Sequence, residues 1–157
     1  MADVLTPEQR RLNMSRIRGK NTKPELVLRR GLHARGLRFR LHCKELPGAP
    51  DLVFPKWRAL ILIHGCFWHG HDCPMFKRPG TRANFWNAKI ARNQERDRAA
   101  AASLRAAGWR VLVVWECALR GPARRSLDEV TSRCTDFLKD QGQEEGAIGG
   151  RWETARF

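Results

Sequence analysis

A chain of 157 residues is long enough to bury one sizeable core and short for two. No run approaches the roughly 18 apolar residues of a membrane span, and the charged opening "MADVLTPEQR" lacks the apolar stretch of a secretion signal, so the sequence reads as cytosolic. A formal charge of +14 argues against a surface indifferent to polyanions and makes nucleic acid the first candidate partner.

The charge is regional. Residues 1–40 hold eleven Lys and Arg against three acids, whereas residues 127–157 hold four against seven. The five cysteines, Cys43, Cys66, Cys73, Cys117 and Cys134, are odd in number and irregular in spacing. That pattern argues against a disulfide framework and for reduced thiols or a metal site.

In chain order, the residues after Thr6 predict a short basic helix with too few apolar positions for a core. "NTKPELVLRRGLHARG" predicts a firmer one, with Thr22 as N-cap, Pro24 in the first turn, Glu25 three residues after the cap and Gly36 at the end. "LRFRLHC" alternates as a half-exposed strand does, "PGAPDLVF" turns into a second strand, and "RALILIH" is apolar enough for a central third. A long helix follows from about residue 81 to 107, closed by Gly108, and "WRVLVVWEC" predicts a buried fourth strand. A last helix carries Leu127, Val130, Phe137 and Leu138 as its inner stripe, and "QGQEEGAIGGRWETARF" reads as a loose tail. The expected fold is a single α/β domain with a central mixed sheet flanked by helices. Residues 1–20 form a basic arm, 21–140 the folded domain and 141–157 a flexible tail.

The stretch "ILIHGCFWHGHDC" gathers His64, His69 and His71 with Cys66 and Cys73 just beyond a central strand. Cys66, His71 and Cys73 with Cys117, at the end of another apolar strand, supply the four soft or borderline ligands of a tetrahedral zinc. A closed set of four braces a loop and leaves no open position for chemistry. The plainer alternative makes the cysteines small buried hydrophobes and His71 a surface histidine. His64 and His69 remain, and beside an acid they fit proton transfer. That acid is Asp51, which opens a strand next to "ALILIH". With the main chain around Ile63 and His64 it can hold a hard divalent cation, as magnesium is held near phosphates. Glu25 either adds a carboxylate to that centre or serves only its helix cap.

Together, "PGAPDLVF", "ILIHGCFWHGHDC", "RANFWNAKIARNQERDR" and "GWRVLVVWECALRG" resemble the very-short-patch repair endonucleases, bacterial enzymes that nick DNA at a T:G mismatch. The likeness runs from about Asn13 to Gly121 and leaves the acidic tail uncovered. It implies a restriction-endonuclease-like fold related to the PD-(D/E)xK enzymes. It further implies Mg2+ on Asp51 with the main chain of Ile63, catalysis by His64 and His69 with support from Glu25, and structural Zn2+ on Cys66, His71, Cys73 and Cys117. Two departures stand out: Ile63 where a threonine is expected, and Gly70 and Asp72 where some relatives carry further histidines.

A mismatch weakens the base stack, so apolar side chains enter beside it at lower cost than at an intact step. Phe67 and Trp68 on the metal loop, joined by Trp86, can form such a wedge; the alternative places them in the core. The resemblance gives these three the major-groove side and Met14 the minor groove. Arg10, Arg11, Arg16, Arg18, Lys20, Lys89 and Arg92 suit phosphate contacts. The implied partners are double-stranded DNA with a T:G mismatch and, because deaminated 5-methylcytosine produces T:G, a cytosine-5 DNA methyltransferase acting in the same bacterial cytoplasm, at the nucleoid. One centre suffices for a single-strand cut, so a monomer is expected. The rival readings are a nicking nuclease with another DNA target and a zinc-stabilised DNA-binding protein without catalysis.

Overall fold

The fold is given by a computed structural model that describes residues 6–9, 21–77 and 79–151. Most of the basic arm lies outside these residues, including Arg10, Arg11, Met14, Arg16, Arg18 and Lys20.

Helix α1 spans Lys23–Ala34 and is capped by Thr22, whose hydroxyl accepts the Glu25 N–H at 3.5 Å. It ends in a paired backbone motif: Gly36 N–H reaches the His33 carbonyl and Leu37 N–H the Leu32 carbonyl, with Gly36 at φ +85°. Strands β1 (Arg40–Leu41), β2 (Leu52–Phe54) and β3 (Ala59–His64) follow. The 24-residue helix α2 (Ala83–Ala106) ends on Gly108 in the same motif as α1, then β4 covers Arg110–Trp115. A single turn α3 (Glu116–Leu119), helix α4 (Leu127–Lys139) and strand β5 (Glu145–Ile148) complete the described chain.

The sheet has five strands in the order β1-β2-β3-β4-β5. Pairs β1–β2 and β2–β3 are antiparallel, whereas β3–β4 and β4–β5 are parallel, each parallel pair being bridged by helix. Alternation along the strands divides the core between two faces. Leu52, Phe54, Ile61, Leu112 and Val114 pack with Leu28 and Leu32 of α1 and Val130, Phe137 and Leu138 of α4. Val53, Leu60, Leu62 and Val111 pack with Leu104 of α2 on the other face. Leu28, Leu32 and Leu138 are wholly buried, each stabilising by about 1.5–3 kcal/mol relative to exposure.

Two expectations need correction. The first strand is confined to Arg40–Leu41 because His42 takes a left-handed φ of +46° and ends the extended run. The tail is not loose through residue 151. Glu145–Ile148 adds a fifth strand, Ile148 is buried, and the buried Arg125 guanidinium donates to the carbonyls of Gly149 at 2.7 Å and Gly150 at 3.4 Å. Alternation in so short and acidic a strand is faint in sequence, and a buried arginine tethering it leaves no local signal.

Candidate functional site

Strand register delivers the metal-like cluster. β3 and β4 run parallel with His64 opposite Trp115, and each chain places a cysteine two residues further on, Cys66 and Cys117. The loop after β3 folds back, His71 N–H donating to the Cys66 carbonyl at 2.9 Å, and brings His71 and Cys73 to the same point. One ligand atom from each of Cys66, His71, Cys73 and Cys117 lies within 4.8 Å of the others. His71 Nδ1 stands 3.6 Å from the sulfurs of both Cys66 and Cys117. A tetrahedral zinc with bonds of about 2.3 Å to sulfur and about 2.0–2.1 Å to nitrogen has an N···S edge of about 3.6 Å, so the donor set fits. The thiols are unbridged. The adjoining Cys117 thiol, then burial, push Cys66 far above the ordinary thiol range, and burial raises Cys73. Thiols crowded and buried as Cys66 and Cys73 are resist ionisation until a cation shares their charge. Outer contacts hold the cluster: Glu116 Oε1 accepts the Cys66 N–H at 3.2 Å, and Gly150 N–H donates to the Cys117 sulfur at 3.3 Å.

Three of the predicted catalytic residues, Asp51, His64 and His69, meet in a neighbouring cleft of about 530 Å³, lined also by His42, Ile63 and Asp97 among others. Asp51 precedes β2, and its Oδ2 accepts the Ile63 N–H at 2.8 Å. Burial pushes the Asp51 carboxyl up to about 6 against that hydrogen bond, and the Glu25 charge adds to the rise. His64 and His69 stack face to face, their centroids 3.9 Å apart. Burial, and then the His69 charge, lower His64 to about 4, so it is neutral near pH 7; its Nδ1 is buried without a hydrogen-bond partner. His69 Nδ1 contacts Asp97 Oδ2 at 2.5 Å. Although burial opposes it, the His69 hydrogen bond and charge hold Asp97 below the usual carboxylate range.

Glu25 serves the cap at the helix start, and its carboxylate also lies within 4.8 Å of ligand atoms of His42 and Asp51. It closes the start of α1 by accepting the Asn21 N–H at 3.1 Å, and its other oxygen takes Arg29 and His42, each at 2.9 Å. At 2% exposure it stands behind the cleft, with His42 in front. At the Ile63 departure, Asp51 meets the main-chain N–H and the side chain packs on the core. Gly70 is also accounted for. At φ +62°, a Cβ there would lie 2.5 Å from Gln94 Nε2 and 2.7 Å from Ile90 Cγ2.

The aromatic residues gather as expected, Phe67, Trp68 and Trp86 meeting edge to face with centroids 5.2–5.8 Å apart, all half-buried. Lys89 places its ammonium 5.4 Å from the Trp68 ring and 5.7 Å from the Trp86 ring. Arg92 is exposed on the same helix. Phe85, 41% exposed and covered by Arg82, extends the patch and was not foreseen.

Asp97 and His42 line the cleft as well, and neither was expected from the sequence. For Asp97 a signal existed: Ile90, Asn93, Gln94 and Asp97 recur at three- and four-residue spacing on one face of α2. That face grips the loop, Asn93 donating to the Trp68 carbonyl at 2.9 Å and Gln94 to those of His69 and Gly70 at 3.3 Å. His42 had no such signal.

A carboxylate and two imidazoles in one cleft, beside an aromatic loop on a basic molecule, suit a hydrolytic nuclease, and comparisons with known proteins give that class: the chain is a DNA endonuclease. The family model for DNA mismatch endonuclease Vsr matches residues 2–75. The chain is 52% identical to Type II nicking enzyme V.XorIIP of Xanthomonas oryzae over 76% of its own length and 88% of that protein. It is 44% identical to DNA mismatch endonuclease Vsr of Escherichia coli over 90% of its own length and 91% of that one. Type II nicking enzyme V.NmeAIP of Neisseria meningitidis is matched along its full length at 41% identity, over 88% of this chain. The chain belongs to the Vsr family of DNA mismatch endonucleases. No helix among the described residues is long and apolar enough to cross a membrane.

Proposed function

We propose that the protein nicks duplex DNA on the 5′ side of the thymine in a T:G mismatch and so initiates very-short-patch repair of deaminated 5-methylcytosine. Its fold would be that of the restriction-endonuclease-like, PD-(D/E)xK-related enzymes, acting as a monomer on the bacterial chromosome beside a cytosine-5 methyltransferase. The observation that carries the reading is the meeting of Asp51, His64 and His69 in one cleft next to the aromatic loop.

Asp51 fits a hard cation: it is a buried carboxyl held at about 6, a state that a divalent ion relieves. On an extended strand the N–H and carbonyl of one residue leave by the same edge, so the Ile63 carbonyl turns toward Asp51 as its N–H does. Asp51 and the Ile63 main chain would hold Mg2+, which when bound supplies charge stabilisation to the scissile phosphate and the departing oxygen. Asp97 accepts the His69 Nδ1 proton, which leaves a lone pair on Nε2 of the neutral ring and makes His69 the base for the attacking water. His64, neutral near pH 7, keeps a second positive charge out of the stack. Cys66, His71, Cys73 and Cys117 would hold Zn2+ as a closed brace for the loop that carries His69, Phe67 and Trp68.

Phe67, Trp68 and Trp86 enter the weakened stack from the major groove, Met14 from the minor groove, and Arg16, Lys89 and Arg92 contact phosphates. The test is a labelled duplex with T:G or T:A at one position, incubated with and without magnesium. T:G is cut on one strand only when magnesium is present, and Asp51→Ala binds T:G without cutting. Equal cutting of T:A, or nicking by Asp51→Ala, refutes the reading.

A further inference from the structure

We propose that His42 supplies an imidazole ligand to the cation at Asp51 and thereby turns the catalytic centre toward manganese-class ions over magnesium. The inference rests on the reading of Asp51 as a cation ligand. Ligand atoms of Glu25, His42 and Asp51 lie within 4.8 Å of one another, two carboxylates and an imidazole. His42 is the member of this group that shares the cleft wall with Asp51, whereas Glu25 is already engaged by Asn21 and Arg29 and sits behind.

The local structure holds this ring in place. The backbone of His42 is fixed by its N–H, which donates to the Asp51 carbonyl at 3.0 Å, and takes the left-handed φ of +46° that histidine tolerates better than most side chains. Backbone strain of this kind collects where a side chain is being aimed. Nε2 meets the Glu25 carboxylate at 2.9 Å, so in the neutral ring the proton sits on Nε2 and the lone pair on Nδ1. A carboxylate that fixes the tautomer and orientation of an imidazole is the usual outer partner of a metal-bound histidine. Magnesium strongly prefers oxygen ligands and sheds water reluctantly, whereas manganese and its heavier neighbours accept imidazole nitrogen more readily. One nitrogen donor therefore shifts the preference of an otherwise all-oxygen centre.

The experiment titrates Mn2+ into the full chain with one equivalent of zinc present, following loss of the free-ion electron paramagnetic resonance signal, and measures Mg2+ by competition. His42→Asn keeps a residue that tolerates the left-handed backbone and offers oxygen in place of nitrogen. We expect it to weaken Mn2+ binding by about tenfold or more and Mg2+ binding by less than about threefold. His42→Gly, free of backbone strain, must lose Mn2+ affinity in the same way, and the nicking rate in Mn2+ relative to Mg2+ must fall in both variants. If both ions keep their affinities in these variants, or lose them equally, His42 is only a structural partner of Glu25 and the inference is wrong. Asp51→Asn separates the two readings. If it loses both ions while the His42 variants lose neither, only this inference falls; if it loses neither, the reading of the centre falls with it.

Discussion

The cysteine cluster and the candidate catalytic cleft stand at the same end of the sheet and share a wall, yet their chemistry is opposite. Trp115 separates them: His71 of the cluster stacks on it at 3.9 Å, and His64 of the cleft meets it edge-on at 5.2 Å. On one side three thiols and an imidazole close on one point, with Cys66 and Cys117 fully buried. On the other, carboxylates and imidazoles line an open cleft of about 530 Å³. Soft donors in a closed set stabilise, and hard donors facing an opening leave room for a phosphate. The difference suits one region to bracing and the other to reaction, as proposed above, although both draw on the same loop.

The largest effect comes from breaking the brace. Cys117→Ser removes a ligand and the sulfur that Gly150 N–H meets, so it should release zinc and lower the thermal midpoint by about 10 °C or more, with loss of nicking. Chelator-dye release and calorimetry check it, and a fully stable, zinc-free, active variant would remove the brace from the account. On the reactive side, Asp97→Asn should lower kcat by about 10²–10⁴-fold, since an amide cannot take up the His69 tautomer as a carboxylate does. KM and the thermal midpoint should stay near those of the parent. Loss of stability in step with kcat would make Asp97 a structural anchor of α2 instead.

These two sites were legible to different degrees. The proposed zinc ligands Cys66, His71 and Cys73 and the pair His64 and His69 stood within one short stretch, and a parallel pairing of two apolar strands was enough to bring Cys117 to them. Asp51 was legible because a turn and a strand start placed it beside β3. Asp97 was not, because its position depends on how α2 crosses the loop, a tertiary fact that only the spacing of Ile90, Asn93, Gln94 and Asp97 hints at. His42 was hidden for another reason. An alternating basic and apolar run predicts a strand through it, and the left-handed turn at His42 breaks that pattern.

A smaller effect sharpens the contrast by showing that the cleft, unlike the brace, is destabilising in its resting form. Folding raises the Asp51 carboxyl from 3.8 to about 6, so the folded state holds that proton more tightly. The resulting stability is complete below about pH 3.8 and lost as pH rises through about 6. At pH 8 without magnesium the buried carboxylate then costs about 3 kcal/mol. Asp51→Asn, whose amide oxygen can still accept the Ile63 N–H, should therefore be more stable than the parent at pH 8 by up to about that amount. It should be equal to the parent near pH 4, by urea unfolding in magnesium-free buffer with zinc retained. A variant less stable at both pH values would show that the carboxylate is held by contacts and not tolerated for its chemistry.

The smallest expected effect tests whether the shared loop carries recognition as well as support. Phe67, Trp68 and Trp86 touch one another but belong to neither main packing face of the sheet, and all three retain exposed surface. A ring that belongs to the core loses stability when truncated, by about 3–5 kcal/mol for Trp→Ala. A ring that stacks against a base loses about 1–3 kcal/mol of binding and little stability. Trp68→Ala should accordingly reduce the preference for T:G over T:A duplex by about tenfold, with the affinity for T:A within about twofold of the parent. The thermal midpoint should hardly move, because Asn93 holds the loop through the Trp68 main chain and not through its ring. Fluorescence anisotropy on the two duplexes beside a melting curve separates the outcomes. Equal loss on both duplexes would make Trp68 a partner of Lys89 at the phosphates, and a large drop in melting temperature would return it to packing.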